Sequence, residues 1–151
     1  RMDIRVQEAA FEPGALLAEV TAQAAGAGAV VSFSGLVRGD GDPPLTRMVI
    51  EHYPGMTEKA LTAIAAQATA RWALSAGLIV HRFGPMRPGE TIMMVATAAR
   101  HRAEAFAAAE FLMDYLKTDA PFWKREERGG TAAWVAARPA DDAARARWDP
   151  R

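Results

Sequence analysis

Lysine is scarce in this 151-residue chain: it occurs only at positions 59, 117 and 124, and every other one of the 18 basic residues is arginine. Lys117 and Lys124 flank the segment Thr118-Asp119-Ala120-Pro121-Phe122-Trp123. Arginine keeps its proton near neutral pH, whereas a partly buried lysine can lose it. Two lysines around a Pro-aromatic turn, in a chain that otherwise uses arginine, point to amine chemistry. The competing reading is a pair of solvated charges at a helix end, where the dipole also favours cations.

A second cluster, Arg100-His101-Arg102, stands where a buried strand passes into a helix. Free N–H groups and guanidinium groups together suit an anion. Solvated charges in a loop would give the same sequence. Arg38 ends a strand of small residues beside the Gly39-Asp40-Gly41 loop and is a further anion ligand or a surface arginine. Glu126 lies two residues after Lys124, on the same strand face, where it would orient a lysine, act as acid/base or form a surface ion pair. The three histidines, His52, His81 and His101, have no metal-like spacing; His52 and His81 read as strand residues bonded locally. No phosphate-binding glycine fingerprint or nucleophile elbow occurs.

The chain contains no cysteine, which excludes disulfides, thiolate nucleophiles and cysteine zinc sites. Any sulfur chemistry must use sulfur carried by another molecule. Formal net charge is zero, so no global field attracts nucleic acid or an acidic membrane. No apolar run spans a bilayer and no signal peptide is visible, so a cytoplasmic location is expected.

These residues need elements to position them. Strands are expected over Asp3–Gln7, Ala29–Val37, Arg47–His52, Leu78–Phe83, Thr91–Ala98, Phe122–Glu127 and Thr131–Ala137. Thr91–Ala98 is continuously apolar, hence central and covered on both faces. Gly84–Gly89 reads as a turn and Gly129-Gly130 as a hairpin turn. Helices are expected from Pro13 to about Ala25, after Thr57 as cap, and from the Arg100–Arg102 junction to Lys117. The apolar stripe Leu61, Ile64, Ala65, Ala68, Trp72 should pack closely on a sheet. Residues 139–151 form a polar tail, a short helix or docking arm. Paired strands and strands between helices together predict one α+β domain over residues 1–151.

The runs His52-Tyr53-Pro54-Gly55-Met56-Thr57-Glu58-Lys59-Ala60-Leu61, His101-Arg102, Met113-Asp114-Tyr115-Leu116-Lys117-Thr118 and Ala120-Pro121-Phe122-Trp123-Lys124-Arg125-Glu126 resemble the catalytic, large subunit of molybdopterin synthase. Val31-Ser32-Phe33-Ser34-Gly35-Leu36-Val37-Arg38 fits the same family. The resemblance extends from about Ala29 to Trp148; the Asp40–Leu45 loop and the N-terminal helix match less well.

That resemblance implies an α/β hammerhead-like fold with mixed and antiparallel sheets and about three helices. It implies a sulfur transferase of molybdenum cofactor biosynthesis, with no resident cofactor or metal. The sulfur would arrive as a thiocarboxylate on the C-terminal Gly-Gly of a small ubiquitin-like partner and pass to cyclic pyranopterin monophosphate, forming the molybdopterin dithiolene. The large subunit would dimerise at the centre of a heterotetramer.

Carried onto this chain, Lys117 and Lys124 become the catalytic lysines. Arg38, His101 and Arg102 become the anion clamp. Arg138 resembles an arginine supplied by the neighbouring subunit, and Phe33 and Met113 line the pocket, with Glu126 beside it. Lys117 is expected to be the acid/base, its amine desolvated by Met113 and Leu116, with Lys124 as positioning cation. The alternatives are a non-catalytic scaffold holding an anion or a partner's C-terminal tail, and a Schiff-base lyase using Lys117.

Overall fold

A computed structural model of the chain describes residues 1–135 and 139–150. In chain order the elements are β1 (Met2–Gln7), α1 (Pro13–Gln23), β2 (Ala29–Leu36), β3 (Leu45–His52), α2 (Met56–Trp72), β4 (Ala76–Arg82), β5 (Gly84–Met86), β6 (Thr91–Ala99), α3 (Arg102–Thr118), β7 (Phe122–Arg128), β8 (Thr131–Val135) and α4 (Pro139–Ala146). The fold is α+β. One sheet has the order β1-β4-β6-β2, with β1 parallel to β4 and the other pairs antiparallel. The second sheet, β5-β3-β7-β8, is antiparallel throughout.

The first sheet is covered on both faces, which explains the unbroken apolar run of β6: every residue from Ile92 to Ala99 is buried. On one face, Leu16 and Val20 of α1 meet Leu78, Val80, Met94 and Ala96. On the other, α2 and α3 bring Leu61, Ile64, Ala108 and Leu112 to Ile79 and Val95, in a core that continues into Met48 and Ile50 of the second sheet. Alanines at 65, 68, 105 and 108 are almost fully buried, so the helix backbones approach the core closely. Burying each large side chain contributes about 1.5–3 kcal/mol.

Two connections position the candidate chemistry. After Arg82 the chain leaves the first sheet and within two residues enters the second as β5, so the end of β4 is a junction between sheets. Gly84–Met86 is therefore a short strand, paired with Met48–Ile50, where the two prolines and glycines of the segment suggest a turn. The hairpin between β7 and β8 turns at Gly129 and Gly130 with φ of 53° and 80°, a geometry glycine adopts without steric cost.

Thr57 is not the cap of α2. The helix begins at Met56, and Glu58 accepts the Gly55 N–H in its place. Thr57 is fully buried in the first turn; its hydroxyl donates to the Tyr53 carbonyl and accepts the Tyr53 N–H. The strand expected to reach Ala137 is described as far as Val135, and the polar tail holds α4. Trp148, just beyond α4, donates its indole N–H to Asp114 at 2.6 Å and packs edge-on against Trp72 and Phe111. Arg145 binds Asp119 at 2.8 Å. These contacts fasten the tail over the C-terminal half of α3.

Candidate active site

Lys117 lies in the last turn of α3 and Lys124 is the third residue of β7. Pro121 separates the two elements. On β7, Phe122, Lys124 and Glu126 share one face because side chains alternate. Lys124 is half-buried. Burial pushes its amine from the usual 10.5 down to about 8, aided by the charge of Lys117 and a side-chain contact with it; Asp141 of α4 and Glu126 oppose the shift. Such an amine both gives and takes a proton near neutral pH. The sequence placed the desolvated amine at Lys117. Leu116 is buried and Met113 partly so, but the Lys117 side chain emerges past them and is exposed. The reason is a strand β7 that tucks Lys124 beneath the helix end, a tertiary relation that spacing does not carry.

His81 completes this cluster. It is 5% exposed, and its ring stacks on Phe122 with centroids 3.7 Å apart. Its Nδ1–H donates to the Arg82 carbonyl at 2.8 Å, since a carbonyl oxygen can only accept. Burial pushes the imidazole down to about 3, reinforced by the charges of Lys124, Lys117 and His52 and opposed by the Arg82 hydrogen bond. The ring is neutral at physiological pH. His52 is bonded locally too, Nδ1 lying 3.0 Å from the Thr57 hydroxyl. Sequence reasoning treated His81 as a locally bonded strand residue, which it is, but missed its place beside the lysines. It also missed Asp141. A polar ring closing the otherwise apolar run Ala76–Val80 was the one available signal for His81.

Two of the anion-clamp candidates, His101 and Arg102, lie away from the lysines. His101 caps α3, Arg102 begins it and Lys117 stands in its last turn; at 1.5 Å per residue Arg102 and Lys117 are about 23 Å apart along the helix axis. With Gly28, Ala29, Arg100 and Ala103, His101 and Arg102 line a cleft of their own. Pairing of Ala29 with Ala99 and Leu36 with Thr91 puts Arg38 at the opposite end of the first sheet from that cleft. Arg38 is exposed and paired with Asp40 at 3.1 Å. Its loop is tied to β7 by Arg128, which donates to the carbonyls of Asp40 and Pro43 at 2.7 and 3.1 Å.

Glu126 lies 3.6 Å from Arg128, so its nearest cation is an arginine. Phe33 is 43% exposed on the edge strand β2. Met113 is half-buried on α3. Arg138 lies outside the described residues.

Two sheets, a helix with a lysine in its last turn and a strand presenting a second, half-buried lysine make an α+β fold with a paired-amine candidate site. Residues 6–119 match the family model described as MoaE protein. The chain is 60% identical over 147 residues to the molybdopterin synthase catalytic subunit of Cereibacter sphaeroides, covering 97% of this chain and all of that one. It superimposes on the molybdopterin biosynthesis MoaE protein of Burkholderia ambifaria with a TM-score of 0.83 at 50% identity, covering 98% of each chain. The fold also matches a chain of the complex of subunits 1 and 2 of the molybdopterin-converting factor from Helicobacter pylori, with a TM-score of 0.76, 18% identity, and 89% and 91% of the two chains covered. The chain belongs to the MoaE family, the catalytic subunits of molybdopterin synthase.

Proposed function

We propose that this chain transfers sulfur from a thiocarboxylated small ubiquitin-like partner to cyclic pyranopterin monophosphate, forming the dithiolene of molybdopterin in the cytoplasm. The observation that carries the reading is the depressed amine of Lys124 beside the exposed cation Lys117. In each round the thiocarboxylate sulfur attacks an oxygen-bearing carbon of the pterin side chain; the new C–S bond replaces a C–O bond whose oxygen leaves, protonated, as phosphate or water, and a thioester then joins partner and pterin. Water then cleaves the thioester and the partner departs as a carboxylate. Lys124 gives and takes the protons that these steps move. Lys117 is the cation that faces the anionic sulfur and the oxyanion of thioester cleavage. The absence of cysteine agrees, because the sulfur travels on the partner.

The distance along α3 supports a shared site. His101 and Arg102 of one copy would clamp the substrate phosphate against Lys117, Lys124 and Arg38 of another, with Arg138 added across the interface. A two-fold dimer with antiparallel α3 helices brings these opposite ends together. Phe33, Leu36 and Phe106 support such an interface: they are 43%, 59% and 61% exposed on the edge strand and on α3. Phe33 and Met113 would then line the pterin pocket, and Glu126 would hold Arg128 and the Arg38 loop. Residues 1–151 act as one unit, with Arg145, Arg147 and Trp148 of the C-terminal segment bonded to Asp119 and to Asp114 of α3.

The test is whether the purified chain, mixed with a thiocarboxylated partner, converts the pterin to a dithiolene. No product from a fully thiocarboxylated partner would remove the reading.

A further inference from the structure

Arg128 ends β7, and its guanidinium binds the loop that follows Arg38. Its Nη1 donates to the carbonyls of Asp40 and Pro43 at 2.7 and 3.1 Å, and its Nη2 lies 3.6 Å from Glu126 Oε1. The loop is closed at its base, where the Leu45 N–H donates to the Gly39 carbonyl at 3.0 Å. Gly41 has φ of 120°, and a Cβ there would run into Arg128 Nη1, so this glycine leaves room for the guanidinium. Asp40 is held twice: its carbonyl by Arg128, and its carboxylate by Arg38 Nε at 3.1 Å. Asp40 engages Nε alone, and the two terminal nitrogens of Arg38 remain as a fork for an anion. Lys124, Glu126 and Arg128 share one face of β7, so the strand that presents the half-buried amine also holds this loop.

We propose that Arg128 is a positioning residue for Arg38: its clasp on the Asp40 and Pro43 carbonyls fixes the loop whose Asp40 carboxylate orients the Arg38 guanidinium toward the substrate phosphate. This rests on the reading of Arg38 as a phosphate ligand. The Arg38–Asp40 pair is exposed and weak by itself, because solvent screens it. The two bonds from Arg128 are charge-assisted and act on the loop backbone, so they supply the rigidity that the ion pair lacks. A loop already held in place need not be ordered when the phosphate binds, and the clasp therefore acts on affinity.

The test measures binding of cyclic pyranopterin monophosphate to the full chain by calorimetry, together with hydrogen exchange at the Leu45 amide. Arg128→Met keeps the length of the side chain and removes its donors. It should speed Leu45 exchange about tenfold, because that amide closes the loop. It should weaken pterin binding about tenfold. Arg38→Ala should weaken binding at least as much. Adding Arg128→Met to Arg38→Ala should change the affinity by less than about twofold, since the clasp acts through Arg38. A merely structural loss would instead add to that of Arg38. Leu45 exchange or pterin binding unmoved by Arg128→Met, or additive losses in the double variant, would overturn the proposal. Unchanged binding in Arg38→Ala would sink the phosphate-ligand reading and the proposal with it. The expected pattern in a protein making no dithiolene would sink the sulfur-transfer reading and leave the clasp standing.

Discussion

His81 and Phe122 stack almost parallel, 3.7 Å between ring centroids, although one ends β4 and the other begins β7. The stack joins the two sheets at the point where the lysines meet, and it holds His81 neutral in the fold. The ordinary imidazole value is 6.5 and the folded one about 3. Between those values the unfolded chain binds a proton that the folded chain refuses, so stability present above 6.5 is lost as pH falls toward 3. The loss should be on the order of 2–4 kcal/mol. Urea unfolding of wild type and His81→Phe at about pH 7 and pH 4 checks this: the variant should lose less stability on acidification. Equal losses would place the acid sensitivity elsewhere.

Lys124 carries the opposite kind of burden. Its folded value of about 8 lies below the ordinary 10.5, so a protonated Lys124 destabilises the fold. The penalty is complete below 8 and is relieved as pH rises from 8 to 10.5. Lys124→Met should therefore raise the unfolding free energy by about 1–3 kcal/mol near neutral pH while abolishing turnover. The gain should shrink toward pH 10.5. A destabilised Lys124→Met protein at neutral pH would contradict the burial assigned to this amine.

Much of this was legible in the sequence, for physical reasons that differ by residue. The continuous apolar run of β6 announced a strand covered on both faces, and it is buried throughout. Lys117 was placed at the end of its helix by Pro121, a local rule. Which lysine loses solvent was not legible, because Lys124 is covered by packing between β7, the end of α3 and the tail. The stack of His81 on Phe122 joins residues 41 positions apart. The separation of His101 and Arg102 from Lys117 follows from helix length alone, yet it becomes decisive only when a second copy is considered.

A site completed by two copies makes a distinctive prediction. Arg102→Ala and Lys124→Ala should each be inactive as homodimers. Mixed dimers carry both changes in one site and neither in the other. Random exchange yields half mixed dimers with one intact site of two, hence about a quarter of wild-type activity. Native mass spectrometry would verify exchange. Exchanged but inactive mixtures would show that both residues serve a site within one protomer.

Thr57 is fully buried and serves three bonds, to the Tyr53 N–H, the Tyr53 carbonyl and His52 Nδ1. Thr57→Val keeps the shape and strands all three groups, which should cost about 1–3 kcal/mol. Chemical denaturation measures it. A cost below about 0.5 kcal/mol would mean that these groups find other partners.

The central claim is that Lys124 transfers protons while Lys117 supplies charge. Single-turnover dithiolene formation, with thiocarboxylated partner in excess, separates the two roles. A guanidinium keeps the charge but cannot release a proton near neutral pH. Lys124→Arg should slow the step at least about 100-fold, whereas Lys117→Arg should stay within about tenfold of wild type. Near-normal turnover by Lys124→Arg, or the reverse order of the two variants, would contradict the account.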